Sequence, residues 1–271
     1  MGLVLTMVLL IASLGVFSLT ASAAGGDVAS VTVGGTTTSY DTFDAAITAA
    51  QSCTDSDKAV VKLLADIAMG DTYLAISGGV FTIDLNGFEL SSTGSTSLLS
   101  LTGSANVTII DSGADGAIRT NNKAIRARDT SIVTINGGTF HSADSHPIWF
   151  QSTGKLTVND GVIIGGSYGI CSTKGITTIN GGNIHGTSYG IYCNSGTLTV
   201  YGGTVTSDSD AVLVSSSASV TINGGSFTGG SYAVYGYSSC SATINGGEFS
   251  GGEYDLGGMG SVKVNDATFP E

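Results

Sequence analysis

The sequence predicts an all-β protein, a single right-handed parallel β-helix whose coils hold three short strands and about 21 to 23 residues, with a short N-terminal capping helix. Three observations predict this fold. Short Val/Ile runs alternate with polar residues, as in strands with one buried face. Gly-Gly pairs separate these runs, and only 2 prolines interrupt a chain with 41 glycines. One ten-residue pattern returns at a nearly constant spacing.

The repeated unit holds two aliphatic residues spaced by two, then Asn-Gly-Gly or a variant, then another apolar residue. Its seven copies run from SIVTINGGTF (131–140) to SVKVNDATF (261–269). The position after the second aliphatic residue is 136, 159, 180, 201, 223, 245 and 265, so the intervals are 23, 21, 21, 22, 22 and 20 residues. So steady a period predicts stacked coils, each of which buries its aliphatic residues only against its neighbours.

Each coil should contribute three inward-facing columns, because residues spaced by two share one face of a strand. The aliphatic pairs of one strand are Val133/Ile135, Leu156/Val158, Leu198/Val200, Val220/Ile222 and Val262/Val264. The strand after the Asn-Gly-Gly bend supplies Phe140, Ile163, Ile184, Val205, Phe227, Phe249 and Phe269. The strand before the unit supplies Ile125, Ile148, Ile170, Ile191, Val212, Val234 and Leu256.

The Asn-Gly-Gly segment predicts a sharp bend, since glycine tolerates positive φ. Stacked asparagines are expected to hydrogen-bond from coil to coil, as in side-chain ladders of cross-β stacks. This column is therefore interpreted as structural, and its members are Asn136, Asn159, Asn180, Asn223, Asn245 and Asn265.

The chain divides into three expected regions: a signal peptide over 1–23, an N-terminal strand and capping helix over 24–59, and the β-helix over 60–271. Segment 38–52 has helical spacing that places one apolar side over the open edge of the first coil. That side holds Phe43, Ala46, Ile47 and Ala50. Strand 60–69 and irregular coils at 81–90 and 107–118 then lead into the repeats.

Residues 1–24 carry an apolar run followed by Ala21-Ser22-Ala23, the pattern of a secretory signal cleaved after Ala23. No Lys or Arg precedes the run, so either Met1 is internal to a longer reading frame or the segment is an uncleaved anchor. The first is favoured because the run is short for a membrane span. We expect a secreted or cell-surface protein with no span after cleavage.

The charge balance is 9 basic against 21 acidic residues, a formal net charge of −12. Nucleic acid is therefore an unfavourable partner. Four cations within ten positions could form a local patch for an acidic glycan, although a solvated face is the favoured interpretation. They are Arg119, Lys123, Arg126 and Arg128.

Four cysteines, Cys53, Cys171, Cys193 and Cys240, permit two disulfides in three pairings or four free thiols, and free thiols are favoured. Their irregular spacing disfavours zinc, and no cofactor motif is found.

Three motifs, YDTFDAAI (40–47), IDLNG (83–87) and TINGGTF (134–140), resemble those of secreted bacterial right-handed β-helix repeat proteins. These proteins have the pectin-lyase-like fold and are typical of Gram-positive surfaces. The resemblance covers about residues 27–269. It implies the fold and an extracellular location, and it says little about activity.

One outward column is the candidate binding site. Its members are Arg126, Trp149, Cys171, Tyr192, Leu213, Tyr235 and Gly257. Trp149, Tyr192 and Tyr235 should lie two coils apart, roughly 10 Å, and such rings suit stacking on the sugars of a polysaccharide or of a host or cell-wall glycan. The alternative is that the rings pack against neighbours for stability. Tyr168, Tyr189, Tyr232 and Tyr254 recur at turn entries and are interpreted as structural stacking.

Catalysis has weaker support, and no catalytic or metal-binding residue is predicted. Polysaccharide lyases of this shape need clustered carboxylates for Ca²⁺ and a base, and hydrolases need paired acids. Asp208 and Asp210 are interpreted as a solvated turn. The histidines, His141, His146 and His185, are expected to be exposed and unpaired, with Ile164 separating the first from the last.

The leading hypothesis is a non-catalytic secreted or cell-surface protein with an adhesive or structural role that binds glycans. The alternative is a lyase or glycoside hydrolase acting on acidic polysaccharide. Ice binding is a minor alternative, suggested by an outward threonine column that contains Thr134, Thr157, Thr178, Thr199, Thr221 and Thr243.

Overall fold

A computed structural model describes residues 26–269 and shows a parallel β-solenoid of about nine turns. This confirms the predicted all-β class and the stacking of three short strands per coil. Each coil contributes one strand to each of three faces, here named A, B and C in chain order around a coil.

Face A is a nine-stranded parallel sheet made of Leu74–Ile76, Ser97–Leu101, Lys123–Ala127, Ile148–Phe150, Tyr168–Ser172, Tyr189–Cys193, Asp210–Val214, Tyr232–Gly236 and Tyr254–Gly257. Face B contains Ala59–Leu63, Val80–Asp84, Asn106–Ile110, Ile176–Ile179, Thr197–Val200, Ser219–Ile222, Ser241–Ile244 and Ser261–Val264. Face C contains Ile67–Ala68, Glu89–Ser92, Ala117–Thr120, Asn183–Gly186, Thr204–Ser207, Ser226–Gly229 and Glu248–Gly251. Two longer strands, Ile132–Ser142 and Lys155–Gly165, run from face B through the bend into face C.

The pairing register places equivalent residues of successive coils directly over one another. On face B, Val158 pairs with Ile179, and Ile179 pairs in turn with Val200. On face A the predicted column continues without a break from Ile125 to Leu256. These aliphatic residues are buried in the interior, apart from the half-buried Leu256. The core is therefore a set of stacked columns, as the repeat predicted.

The N-terminal edge of face B is closed by a hairpin and not by a coil. Strands Ala29–Val33 and Thr36–Tyr40 pair antiparallel, and the first of them also pairs antiparallel with Ala59–Leu63. One strand was expected from the sequence before the helix, and the structure has two. The hairpin satisfies backbone groups that a parallel coil would otherwise leave unpaired at this edge.

The predicted capping helix spans Phe43–Ala50. Thr42 is its N-cap, and its hydroxyl oxygen accepts a hydrogen bond from the Ala45 amide at 3.3 Å. The four apolar residues predicted on one side of this helix are all buried against the first coil. The helix thus covers the interior at the N-terminal end, and the prediction is confirmed.

The last coil departs from the predicted burial. Val262 and Val264 were expected to point into a closed interior, but they are 39% and 45% exposed. Their strand pairs with Ser241–Ile244 on one side, and within residues 26–269 no strand pairs with it on the other side. These two side chains have a neighbouring coil on one side and no covering element on the other within residues 26–269, so the prediction of burial is wrong here.

The predicted asparagine ladder is present in two segments. Side-chain amides join Asn136 to Asn159 and Asn159 to Asn180 at 2.6 Å each, and a second segment runs from Asn223 through Asn245 to Asn265. Tyr201 occupies the position between the segments and is exposed. The bend beside the ladder needs glycine: Gly182 has φ +89°, and a Cβ there would lie 2.8 Å from the Gly161 carbonyl oxygen.

The four cysteines are free thiols, in agreement with the favoured interpretation. Cys171, Cys193 and Cys240 are buried, and Cys53 is half-buried. Burial raises the pKa of the Cys171 and Cys193 thiols to about 12, which makes both poor nucleophiles at neutral pH.

Candidate functional site

Aromatic side chains are sorted by type between the interior and one exterior surface. The fully buried aromatic residues within 26–269 are all phenylalanines, whereas the exterior of face A carries tyrosines and the single tryptophan. Seven of the ten tyrosines lie on this surface. We name it the aromatic strip, which consists of His146, Trp149, Tyr168, Tyr189, Tyr192, Tyr232, Tyr235, Tyr237 and Tyr254.

The strip follows from two columns of face A. The register of the outward column agrees with the prediction and places Trp149, Tyr192 and Tyr235 two coils apart. The intervening members of this column, Cys171 and Leu213, are buried. The second column comes from the first residue of successive strands and consists of Tyr168, Tyr189, Asp210, Tyr232 and Tyr254.

The first group of rings joins two of the three predicted binding residues. His146 packs edge-on against Trp149 and parallel to Tyr168, with ring centroids 5.5 Å apart in both cases. Tyr168 lies 5.5 Å from Tyr192, and Tyr189 contacts both tyrosines. Trp149 and Tyr192 are therefore connected through His146 and Tyr168, which the sequence alone did not place at a binding surface.

Two cations contact Trp149. The Lys123 Nζ atom lies 4.9 Å and the Arg126 guanidinium carbon 4.5 Å from the ring centroid, both within the range of cation–π attraction. The indole Nε1 atom is buried and has no hydrogen-bond partner among residues 26–269. This end of the strip thus combines an aromatic ring with positive charge.

The second group contains the third predicted binding residue. Tyr235 lies 4.9 Å from Tyr232 and 5.7 Å from Tyr237, and Tyr232 stacks on Tyr254 at 5.9 Å. Tyr237 and Tyr254 are 52% and 65% exposed, so their rings are open to a ligand. The structure therefore places Tyr235 in a separate patch from Trp149 and Tyr192.

Asp210 and Leu213 separate the two groups, and Asp210 corrects an expectation from the sequence. Asp208 is exposed as expected of a solvated turn, but Asp210 is buried in the column of tyrosines. Burial raises the pKa of its carboxyl group, which the backbone hydrogen bond from Tyr232 partly opposes. The sequence did not predict this burial because it depends on Asp210 being the first residue of a face A strand, where it pairs with Tyr189 and Tyr232.

The histidines are not the exposed, unpaired groups that were expected. Burial lowers the pKa of His146 to about 4, with a further contribution from Lys123. The Nδ1 atom of His185 lies 3.0 Å from the Thr206 hydroxyl oxygen. The stacking of Ile164 between His141 and His185 agrees with the prediction. The prediction of exposed histidines was wrong because the burial and hydrogen bonding of these rings depend on contacts between coils.

The basic residues predicted as one group lie on two faces. Arg119 is on face C, where its Nε atom donates to the Glu89 carboxylate at 2.9 Å. The other three are on or beside face A, where Arg126 and Arg128 approach Lys174 around a shallow depression of about 290 Å³. The second salt bridge within residues 26–269 joins Lys62 to Asp84 at 3.5 Å.

The exterior of face B presents the predicted threonine column, which the register extends by two members. The eight half-buried residues are Thr82, Thr108, Thr134, Thr157, Thr178, Thr199, Thr221 and Thr243. The asparagine ladder lies on one side of this column, and mixed residues such as Ile132, Lys155 and Ile176 lie on the other. The array is thus a single threonine wide.

No group of three or more His, Cys, Asp or Glu side chains within residues 26–269 is arranged to hold a metal ion. The part of the chain that the structure describes has one helix, and it is too short to cross a bilayer.

No protein-family model, no curated protein and no solved structure matches this chain. The parallel β-solenoid of about nine turns is established by its own strand register. The resemblance to secreted pectin-lyase-like repeat proteins stays a sequence-based prediction.

Proposed function

We propose that this protein is an exported, non-catalytic glycan-binding element whose binding surface is the aromatic strip. The observation that carries the proposal is that seven of the ten tyrosines and the single tryptophan lie on one exterior face, whereas every fully buried aromatic residue within 26–269 is a phenylalanine. Tyrosine and tryptophan present an apolar ring and a polar edge, which match the apolar face and the hydroxyl groups of a sugar.

The scaffold supports this function because it holds the rings in fixed positions. Seven of the nine rings sit on strands whose neighbours are the equivalent strands of adjacent coils, about 4.8 Å away. The Tyr192 hydroxyl is within 3.0 Å of the Ser215 hydroxyl, which fixes the direction of that side chain. A rigid row of rings loses little conformational entropy on binding an extended polymer.

A glycan array with matched variants tests the proposal. The first variant is Trp149→Ala/Tyr192→Ala/Tyr235→Ala, which we expect to bind at least tenfold more weakly than the wild type, a loss of about 1.4 kcal/mol. The control variant is Tyr73→Ala/Tyr201→Ala, which removes two rings that are 54% and 57% exposed but lie outside the strip. Far-UV circular dichroism and melting temperature establish that each variant is folded.

The outcomes are distinct. Loss of binding in the first variant but not in the control supports the strip as the site. Equal binding by the wild type and the first variant, or no glycan bound by the wild type, would contradict the proposal. A third variant, Trp149→Phe/Tyr192→Phe/Tyr235→Phe, should retain most of the binding if ring stacking is the cause.

A further inference from the structure

The cations beside the aromatic strip form no salt bridge within residues 26–269, although the chain has a net charge of −12. They are Lys123, Arg126, Arg128 and Lys174, four of the nine basic residues. Both salt bridges within residues 26–269 involve other residues, so none of these four has a carboxylate oxygen within 4.0 Å. An acidic chain that keeps four cations unpaired on one surface offers a site for an external anion.

Three of these cations line the depression on this surface. Its lining residues are Arg126, Arg128, Asp129, Gln151, Thr153 and Lys174. The Arg126 Nε atom donates to the Gln151 side-chain oxygen at 2.8 Å, and no other hydrogen bond of its guanidinium occurs within residues 26–269. The Arg128 Nη2 atom donates to the Ser100 hydroxyl oxygen at 3.5 Å, and its Nε atom is too buried to contact an external ligand. The remaining guanidinium N–H groups and the Lys174 ammonium have no acceptor within residues 26–269, so they are the donors available to an anion.

Asp129 is the one carboxylate in the depression, and it does not compensate these cations. Its carboxylate accepts a hydrogen bond from the Gly103 amide at 2.8 Å and lies more than 4.0 Å from every cationic nitrogen. Its role is to bind a turn of the preceding coil.

The cations also repel one another. The pKa of Lys123 is lowered by burial and by the positive charge of Arg126, and the pKa of Arg126 is lowered by burial and by Arg128. A bound anion would relieve this repulsion, since opposite charge favours the protonated forms. Guanidinium groups suit carboxylate and sulfate oxygens because they donate paired hydrogen bonds.

We infer that the ligand of the aromatic strip is an anionic glycan, with one carboxylate or sulfate group bound among Arg126, Arg128 and Lys174 and the adjoining sugar ring near Trp149. This inference rests on the proposed glycan-binding function and names its ligand class. The three cations lie at one end of the strip, since the second aromatic group is several coils away, beyond Asp210 and Leu213.

Isothermal titration with three soluble polymers tests the ligand class. Polygalacturonate supplies carboxylates, chondroitin sulfate supplies sulfates as well as carboxylates, and arabinoxylan is neutral. At about 10 mM salt, where screening extends over roughly 30 Å, the wild type should bind at least one anionic polymer tenfold or more tighter than arabinoxylan. That preference should shrink at about 150 mM salt.

Variants separate the local site from the overall charge. Arg126→Gln/Arg128→Gln/Lys174→Gln should lose at least tenfold in affinity for the anionic polymer while keeping its affinity for arabinoxylan. The control Lys58→Gln/Lys155→Gln/Lys263→Gln changes exposed cations elsewhere, and both triple variants shift the net charge from −12 to −15. Arg128→Gln/Lys174→Gln keeps the Arg126–Trp149 contact and serves if the first variant does not fold.

Each result decides one claim. Equal affinity for neutral and anionic polymers, or equal loss in both triple variants, overturns the anion site and leaves the glycan-binding proposal standing. Anion binding that survives removal of the three aromatic rings overturns the strip but supports the cationic site. A wild type that binds none of the three polymers overturns both.

Discussion

The central coils and the last coil share one repeat but differ in burial. Ile222 and Val264 occupy the same column of face B, joined through Ile244. Ile222 is fully buried, whereas Val264 is 45% exposed. The difference shows that an aliphatic residue in this fold is protected by neighbouring coils and not by its own.

At the N-terminal end, the apolar interior is covered without a further coil. There the helix Phe43–Ala50 lies across the interior, and the hairpin pairs with the edge strand. Phe43 is buried in this cap, whereas Phe269 in the last coil is 39% exposed. Within residues 26–269, the first coil is thus covered by a helix and a hairpin, whereas the last coil has no such cover.

The largest expected effect comes from a charge placed in the buried column. Ile222→Asp should lower the free energy of unfolding by at least about 5 kcal/mol, because it leaves a cavity and an unpaired buried carboxylate. Val264→Asp should change it by less than about 1 kcal/mol. Urea denaturation followed by circular dichroism measures both, and Thr221→Asp on the outer side of the same strand is the control. Similar losses of unfolding free energy in the 222 and 264 variants would contradict the difference in burial between the central coils and the last coil.

The cap can be tested by removing its largest side chain. Phe43→Ala should cost about 3–5 kcal/mol, since the ring is buried and the helix cannot refill the space. Phe269→Ala should cost less than about 1 kcal/mol at the exposed end. Hydrogen exchange should show faster opening of strand Ala59–Leu63 in the first variant. Unchanged protection of that strand would show that the helix does not hold the first coil closed.

A ring stacked between coils should also resist protonation. The pKa of His146 is lowered to about 4 in the folded chain, against about 6.5 when unfolded. The part of the folding stability that depends on a neutral His146 ring is therefore fully present above about pH 6.5 and is lost as the pH falls through 4. The free energy of unfolding should fall by roughly 1–2 kcal/mol on acidification, since solvent partly screens a half-buried ring. NMR titration of the imidazole should give the low midpoint, and His146→Gln should reduce the loss of stability on acidification. A midpoint near 6.5 would contradict the stacking.

The smallest effects are expected in the asparagine ladder. Asn159→Ala removes two side-chain hydrogen bonds and should cost about 1–2 kcal/mol, whereas Asn265→Ala at the end of the ladder removes one and should cost about 0.5–1 kcal/mol. Melting temperatures of the two variants, compared with the wild type, measure the difference. A larger loss at 265 would show that the last coil relies on its ladder more than the central coils do.

Much of the fold could be predicted because the neighbours of a residue in this protein are its own counterparts one period away. The column from Ile125 to Leu256 was correct for this reason, whereas the apolar side of the helix was correct because its own helical spacing shows it. The candidate site was predicted only in part. The column of Trp149, Tyr192 and Tyr235 was correct, but its division into two groups was not foreseen.

The periodic spacing determined the solenoid and its inward columns, and the helical spacing within 38–52 determined the capping helix, because each depends on a pattern along the chain. Only the tertiary structure decided which rings touch, that Asp210 is buried and His146 half-buried, that Arg119 lies on a different face from the other cations, and that Val262 and Val264 are exposed. These depend on side-chain contacts between coils and, for the two valines, on having a neighbouring coil on one side alone within residues 26–269.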